Sequence, residues 1–189
     1  MIRIALVGDI GSGKTFISKL FRYPVFNADE SVAKIYLKNK KVYHKLKKEL
    51  PEFFTKFPVK KNELIKSIIK NKDNIKKIST IVHPEVRKDL QKFTKKNIKK
   101  RVIILDIPLY LENRLNKKKD VVIFIQSSRK EVLKRIKKRK NYNKLVLQRL
   151  KNLQLPLKRK KRKSHYVIKN NFDKNFARKK VKNILDKIL

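Results

Sequence analysis

Ile2-Arg3-Ile4-Ala5-Leu6-Val7, followed at once by Gly8-Asp9-Ile10-Gly11-Ser12-Gly13-Lys14-Thr15, is the stretch that decides the fold. The first six residues are apolar without strict alternation, the pattern of a strand covered on both faces in a parallel sheet. The next eight satisfy G-x-x-x-x-G-K-[ST]. In that pattern backbone N–H groups cradle phosphates, the lysine reaches the β and γ oxygens, and the threonine hydroxyl serves Mg2+. Phe16, Ile17, Leu20 and Phe21 then recur at helical spacing, so a helix starting near Gly13 adds its N-terminal dipole to the anion site. With this chain's own residue frequencies, the pattern arises by chance in roughly one chain in a thousand. Average usage would supply about 13 glycines at this length. The chain holds 3, all of them in this loop. A tight turn that holds no nucleotide is the alternative.

Outward from the loop, strand character is expected at Pro24–Asn27, Val102–Asp106, Val121–Ile125 and His165–Lys169. With the first strand these make five, alternating with helices, which predicts an α/β fold around a parallel sheet. From about Tyr36 to Lys100 the pattern is helical and lysine-rich, with breaks near Pro51 and Pro58, and so reads as a helical insertion. His83-Pro84 is expected to open a helix, because Pro is favoured at the first helical position. Ser128 with Glu131 forms a capping box for a helix through Val132, Leu133 and Ile136. The terminal helix buries Val181, Ile184, Leu185 and Ile188.

The 189 residues fit one domain with insertions. An apolar fraction of 40% supports a core despite 37% charged residues and a formal charge of +40. Such a charge points to nucleic acid, membrane surface or small polyanions. Yet 43 of the 55 basic residues are lysines spread from Lys14 to Lys187, a chain-wide bias and no patch. The absence of cysteine excludes disulfides, thiolate catalysis and Cys-ligated zinc. His44, His83 and His165 stand in no metal-ligand spacing. No run approaches membrane-spanning length and the start carries no signal-like segment, so a cytoplasmic protein without membrane contact is expected.

The phosphate loop alone does not name the acceptor. A GTPase would carry an N-K-x-D motif on a late strand, and Val167-Ile168-Lys169-Asn170-Asn171 has none. The sequence resembles the dephospho-CoA kinases over nearly its whole length. The resemblance rests on the loop Gly8–Thr15; Asn27-Ala28-Asp29 after the second strand; His83-Pro84; Ile107-Pro108-Leu109 followed by Glu112; Arg135 and Arg139 on a lid helix; and Val167-Ile168 with Asn170-Asn171. Three departures stand out. Asp9 replaces the usual second glycine, Asn27 the first of two acids, and a Lys-rich segment, Lys158 to Lys163, a less basic stretch.

The resemblance implies a single P-loop kinase domain, 1–189, of three layers about a five-stranded parallel sheet. Its core would be 1–35, 101–127 and 164–189, its helical CoA-binding insertion about 36–100, and its helical lid about 128–163. It implies transfer of the ATP γ-phosphate to the ribose 3′-hydroxyl of dephospho-CoA, with ATP and Mg2+ required and a monomer or weak homo-oligomer. Gly8, Gly11, Ser12, Gly13, Lys14, Thr15, Phe16 and Asn170 would bind ATP, and Thr15 and Asp106 the metal. Lys14, Asp29, Arg135 and Arg139 would be catalytic, Asp29 as the base or orienter for the hydroxyl. His83, Arg87, Pro108, Leu109 and Glu112 would hold the acceptor.

Each has a plainer alternative: a helix N-cap for Asp29 and for His83, a strand-end acid for Asp106, and a solvated surface for Glu112, Arg135, Arg139 and the Lys158 to Lys163 run. Arg135 and Arg139, four apart, are expected on one helix face, where guanidinium forks suit phosphate. The rival readings are another small-molecule or nucleotide kinase, and a nucleic-acid-binding ATPase. No specific nucleic acid partner is expected, because neither aromatic clusters nor a compact basic stripe is evident.

Overall fold

In the computed structural model, residues 1–139 and 142–189 are described; the part of the expected lid at 140 and 141 lies outside them. Along the chain run β1 (Ile2–Gly8), α1 (Lys14–Leu20), β2 (Val25–Asn27), α2 (Ala28–Lys38), α3 (Lys40–Glu49), α4 (Lys61–Lys70), α5 (Asn74–Lys96), β3 (Val102–Asp106), β4 (Val121–Gln126), α6 (Arg129–Lys137), α7 (Lys144–Asn152), α8 (Leu157–Arg162), β5 (Tyr166–Lys169) and α9 (Lys174–Ile188). The chain divides into two compact units.

The first unit comprises Met1–Asn27, Asn97–Tyr142 and Leu150–Leu189 and contains the sheet. Its strand order is β2-β3-β1-β4-β5, and every pairing is parallel. In a strand successive side chains face opposite ways, so Ile4 and Leu6 join Ile104, Ile123, Ile125 and Ile168 against Ile17 of α1, Phe21 at its C-cap, and Ala177, Val181 and Ile184 of α9. Ala5, Val7, Ile103, Leu105, Val122 and Phe124 are buried too, and this two-sided burial explains why the strands read as continuous apolar runs. The strands fall within a residue or so of their expected positions. At the edge, His165 precedes β5 but brackets Val122: its backbone N–H donates to the Val122 carbonyl (2.8 Å) and its Nδ1 accepts from the Val122 N–H (3.0 Å).

A polar network is buried in this unit. Arg3 Nε lies 3.1 Å from Asp120 Oδ1. The Tyr110 hydroxyl donates to Asp120 Oδ2, which also accepts from the Lys117 N–H at 2.6 Å. Burial and then the Asp120 carboxylate push the Tyr110 hydroxyl's pKa upward. Tyr110 therefore stays a donor. Among the described residues here, three that are not glycine take left-handed backbone angles: Arg22 (φ 56°), Arg114 (φ 51°) and Phe172 (φ 67°).

The second unit, Ala28–Lys96 with Asn143–Arg149, is helical. Ile35, Val42, Tyr43, Leu46, Leu50, Phe54, Val59, Ile78 and Val82 form its core. Asn39 caps α3, its side chain accepting from the Val42 N–H at 3.1 Å. One expectation is corrected here. His83-Pro84 does not open a helix but lies inside α5. Ile75, Ile78 and Val82 are buried on the same stripe that continues through Val86, and that packing holds the helix together across the proline's missing N–H.

Candidate active site

Sequence forces the phosphate loop into one shape. Gly13 caps α1 at φ 88°, and a Cβ there would meet Asn170 Nδ2 at 2.4 Å and Phe172 Cε1 at 3.0 Å. A Cβ on Gly11 (φ 83°) would meet Ile136 at 2.7 Å. Neither position accepts another residue without rearrangement. One tie between the loop and its neighbours is the Ser12 carbonyl. It accepts from Asn170 Nδ2 and from Ser127 Oγ, each at 2.9 Å. Asn170 Oδ1 in turn accepts from the Phe172 N–H at 3.0 Å, so buried Asn170 fastens the loop that follows β5 to the phosphate loop.

Lys14 is 8% exposed, and its ammonium donates to the carbonyls of Asp9 (2.8 Å) and Gly8 (3.4 Å). Thr15 Oγ1 donates to Asp106 Oδ2 at 2.6 Å, and Asn27 Nδ2 donates to the same oxygen at 2.9 Å. The register that sets Asn27 opposite Asp106 and Leu6 opposite Asp106 on its other side delivers these groups to the carboxyl ends of adjacent strands. Open α/β sheets bind ligands at that edge. Asp106 is only 4% exposed.

Of the residues singled out in the sequence, Gly8, Gly11, Ser12, Gly13, Lys14, Thr15, Asp106 and Asn170 come together around this loop. Phe16 instead packs, partly buried, against the sheet core. Arg135 lies over the Phe172 ring, 4.2 Å from its centre, and so approaches the Gly13 flank. Arg139 departs from expectation: α6 ends at Lys137, and Arg139 sits in the following turn, its N–H donating to the Ile136 carbonyl at 3.1 Å. Five cations at 134, 135, 137, 138 and 139 crowd that helix end, and like charges oppose continuing it. Ser128 does cap α6, accepting from the Glu131 N–H at 3.3 Å.

Pro108 and Leu109 enter a run of turns after β3, in which the Asn113 N–H donates to the Leu109 carbonyl at 3.0 Å. Glu112 is already committed. Its Oε1 accepts from the Leu155 N–H at 2.9 Å and lies 2.8 Å from the Lys160 ammonium, whose side chain is wholly buried. The run Lys158 to Lys163 is thus no uniformly solvated face. Within the helical unit, Asp29 is exposed in the first turn of α2. That helix begins at Ala28, so Asp29 is not its N-cap. His83 and Arg87 stand one turn apart on α5; burial first, and Arg87 second, hold the imidazole below its ordinary pKa.

Sequence reading missed Asn27 as the donor to Asp106, Ser127 as a loop tether, the Lys160–Glu112 pair and the Asp9–Lys151 contact (3.6 Å). Strand register carries the first. The others join residues from 48 (160 − 112) to 142 (151 − 9) positions apart, and no local pattern announces them.

A parallel sheet with a glycine nest, a buried lysine and a Thr–Asp pair at its carboxyl edge defines a P-loop kinase. A model of the dephospho-CoA kinase family matches residues 2–175. A dephospho-CoA kinase of Wolbachia sp. subsp. Brugia malayi is 31% identical over 190 residues, covering 98% of this chain and 97% of that one. A crystal structure of a Thermus thermophilus protein superposes with a TM-score of 0.79 at 25% identity, covering 100% of this chain and 98% of that one. The dephospho-CoA kinase from Campylobacter jejuni (TM-score 0.66, 20% identity, 98% and 96% covered) shares the fold. The chain belongs to the dephospho-CoA kinase family. It is a kinase that transfers phosphate to a hydroxyl group. Among the described residues no helix is long and apolar enough to cross a membrane.

Proposed function

We propose that this chain transfers the γ-phosphoryl group of ATP in line to the ribose 3′-hydroxyl of dephospho-CoA, without a covalent enzyme intermediate. The observation that carries this reading is the Thr15–Asp106 contact at 2.6 Å, beside a lysine held in the glycine nest. The nest and Lys14 bind the β- and γ-phosphates. Thr15 Oγ1 and the Asp106 carboxylate are hard oxygen donors side by side, a set that fits Mg2+ and leaves its remaining positions to water and phosphate. Mg2+ held there would neutralise charge on the β and γ oxygens. Asn27 sets a neutral amide beside Asp106 and donates to it at 2.9 Å, which orients the carboxylate.

Asp29 orients the 3′-hydroxyl and takes its proton as the new P–O bond forms. The bond between the γ-phosphorus and its bridging oxygen breaks, and its electron pair leaves with ADP. Arg135 and Arg139 balance the charge spreading over the phosphoryl oxygens. His83, Arg87, Pro108 and Leu109 hold the acceptor, His83 as a neutral imidazole. Glu112 acts one step removed, through Lys160. The protein works in the cytoplasm, on small molecules and with no specific nucleic acid.

ADP release measured with dephospho-CoA, AMP, CMP and pantetheine phosphate tests the acceptor. Dephospho-CoA should turn over fastest, by at least about a hundredfold in kcat/KM, which corresponds to about 2.7 kcal/mol. Lys14→Ala should abolish that turnover with the circular dichroism spectrum unchanged. Faster turnover of any other acceptor overturns the assignment.

A further inference from the structure

A cavity of about 500 Å3 opens in the sheet unit at the carboxyl end of β4, and its lining is cationic. Arg129, Lys151, Lys158 and Lys161 contribute to it against one carboxylate, Asp9. Gln126 lines it as well, and its amide oxygen is buried without a hydrogen-bond partner. A buried acceptor in that state has room for a donor supplied by a ligand or by water. Asp9 joins this cavity to the chemistry: its carbonyl accepts the Lys14 ammonium at 2.8 Å, while its carboxylate lies 3.6 Å from the Lys151 ammonium. The opposite flank of the loop, at Gly13, is made by Asn170 and Phe172, and neither lines the cavity. The cavity therefore adjoins the lysine that handles the transferred phosphoryl group without being the nest itself.

We propose that this cavity is the subsite for the diphosphate of the acceptor. The inference rests on the function proposed above. Dephospho-CoA carries a diphosphate between its ribose and its pantetheine arm, two negative charges that four cations match, and amide N–H groups further along that suit Gln126. The triphosphate of ATP already has the nest. Lys151 reaches the anion by exchanging the Asp9 carboxylate for it. Lys158 and Lys161, three apart, share a face of α8, and Lys160 anchors that helix from within through Glu112 at 2.8 Å. The basic run that looks superfluous in sequence thus gives α8 one anchored lysine and two presented ones.

Initial rates of the full-length protein at constant ionic strength test this. The variant Lys158→Gln/Lys161→Gln removes two exposed charges from the cavity. Lys179→Gln/Lys182→Gln on α9 removes two exposed charges from outside it. The cavity variant should raise the KM for dephospho-CoA by at least about tenfold, as loss of two charged hydrogen bonds implies, with the KM for ATP within about twofold. The α9 variant should change neither. A KM for dephospho-CoA that moves less than about twofold overturns the subsite, as does an equal rise in the α9 variant or a rise confined to ATP. In each of these cases, wild-type turnover of dephospho-CoA leaves the proposed function standing. A wild-type protein that phosphorylates another hydroxyl but not dephospho-CoA removes both.

Discussion

At Asp106 two side chains from different elements, Thr15 of α1 at 2.6 Å and Asn27 of β2 at 2.9 Å, converge on one carboxylate oxygen. Asn27 cannot accept a proton at neutral pH, so of the two polar residues flanking Ala28 only Asp29 can serve as base. The helix that holds Asp29 starts one residue before it. Asp29→Asn therefore removes no cap, only a charge near the helix N-terminus, worth about 0.3–1 kcal/mol. Proton-transfer groups contribute about 10² to 10⁴ in rate. Asp29→Asn should lower kcat at least about a hundredfold, with ATP affinity and unfolding midpoint nearly unchanged. A kcat within about threefold of wild type in steady-state assays would exclude Asp29 from the chemistry. The Thr15–Asp106 pair was legible in the sequence, because the loop motif and a strand-ending acid each have a fixed place at the sheet edge. The Asn27 contact was not, since it depends on β2 and β3 pairing in one particular register.

Among the elements, α8 gains most from being seen in three dimensions. Six residues, Leu157-Lys158-Arg159-Lys160-Lys161-Arg162, carry five cations, and composition alone calls such a segment solvated. Lys160 is instead wholly buried against Glu112. A buried ion pair need not stabilise relative to an apolar pair, but removing one partner strands the other. Lys160→Ala should cost about 3–5 kcal/mol in urea unfolding. Lys160→Met/Glu112→Leu should cost clearly less than the single change. A single variant that loses under about 1 kcal/mol would show that Glu112 finds water or another donor. The strands were legible because burial on both faces leaves continuous apolar runs. α5 was misread at Pro84 because a local proline rule was set above the longer stripe through Ile75, Ile78, Val82 and Val86.

Over the whole molecule, a formal charge of +40 says little about where ligands go. Burial separates a few lysines from the rest: Lys14 and Lys160 are buried with fixed partners, while Lys19, Lys158 and Lys161 are exposed. The scarcity of glycine has the opposite character, because it leaves ordinary turns without the residue that suits them. Arg22 follows the C-cap of α1 at φ 56°, its N–H donating to the Lys19 carbonyl at 3.4 Å, a place usually given to glycine. A side chain in the left-handed region costs about 1–2 kcal/mol, and the extra chain entropy of a glycine returns only part of that on substitution. Arg22→Gly should raise stability by about 0.5–1 kcal/mol in urea unfolding and leave turnover alone; a loss of stability would mean that the arginine side chain holds α1 in place. With its three glycines confined to the loop that meets phosphate, this kinase keeps unused stability in its turns, open to single substitutions far from the chemistry.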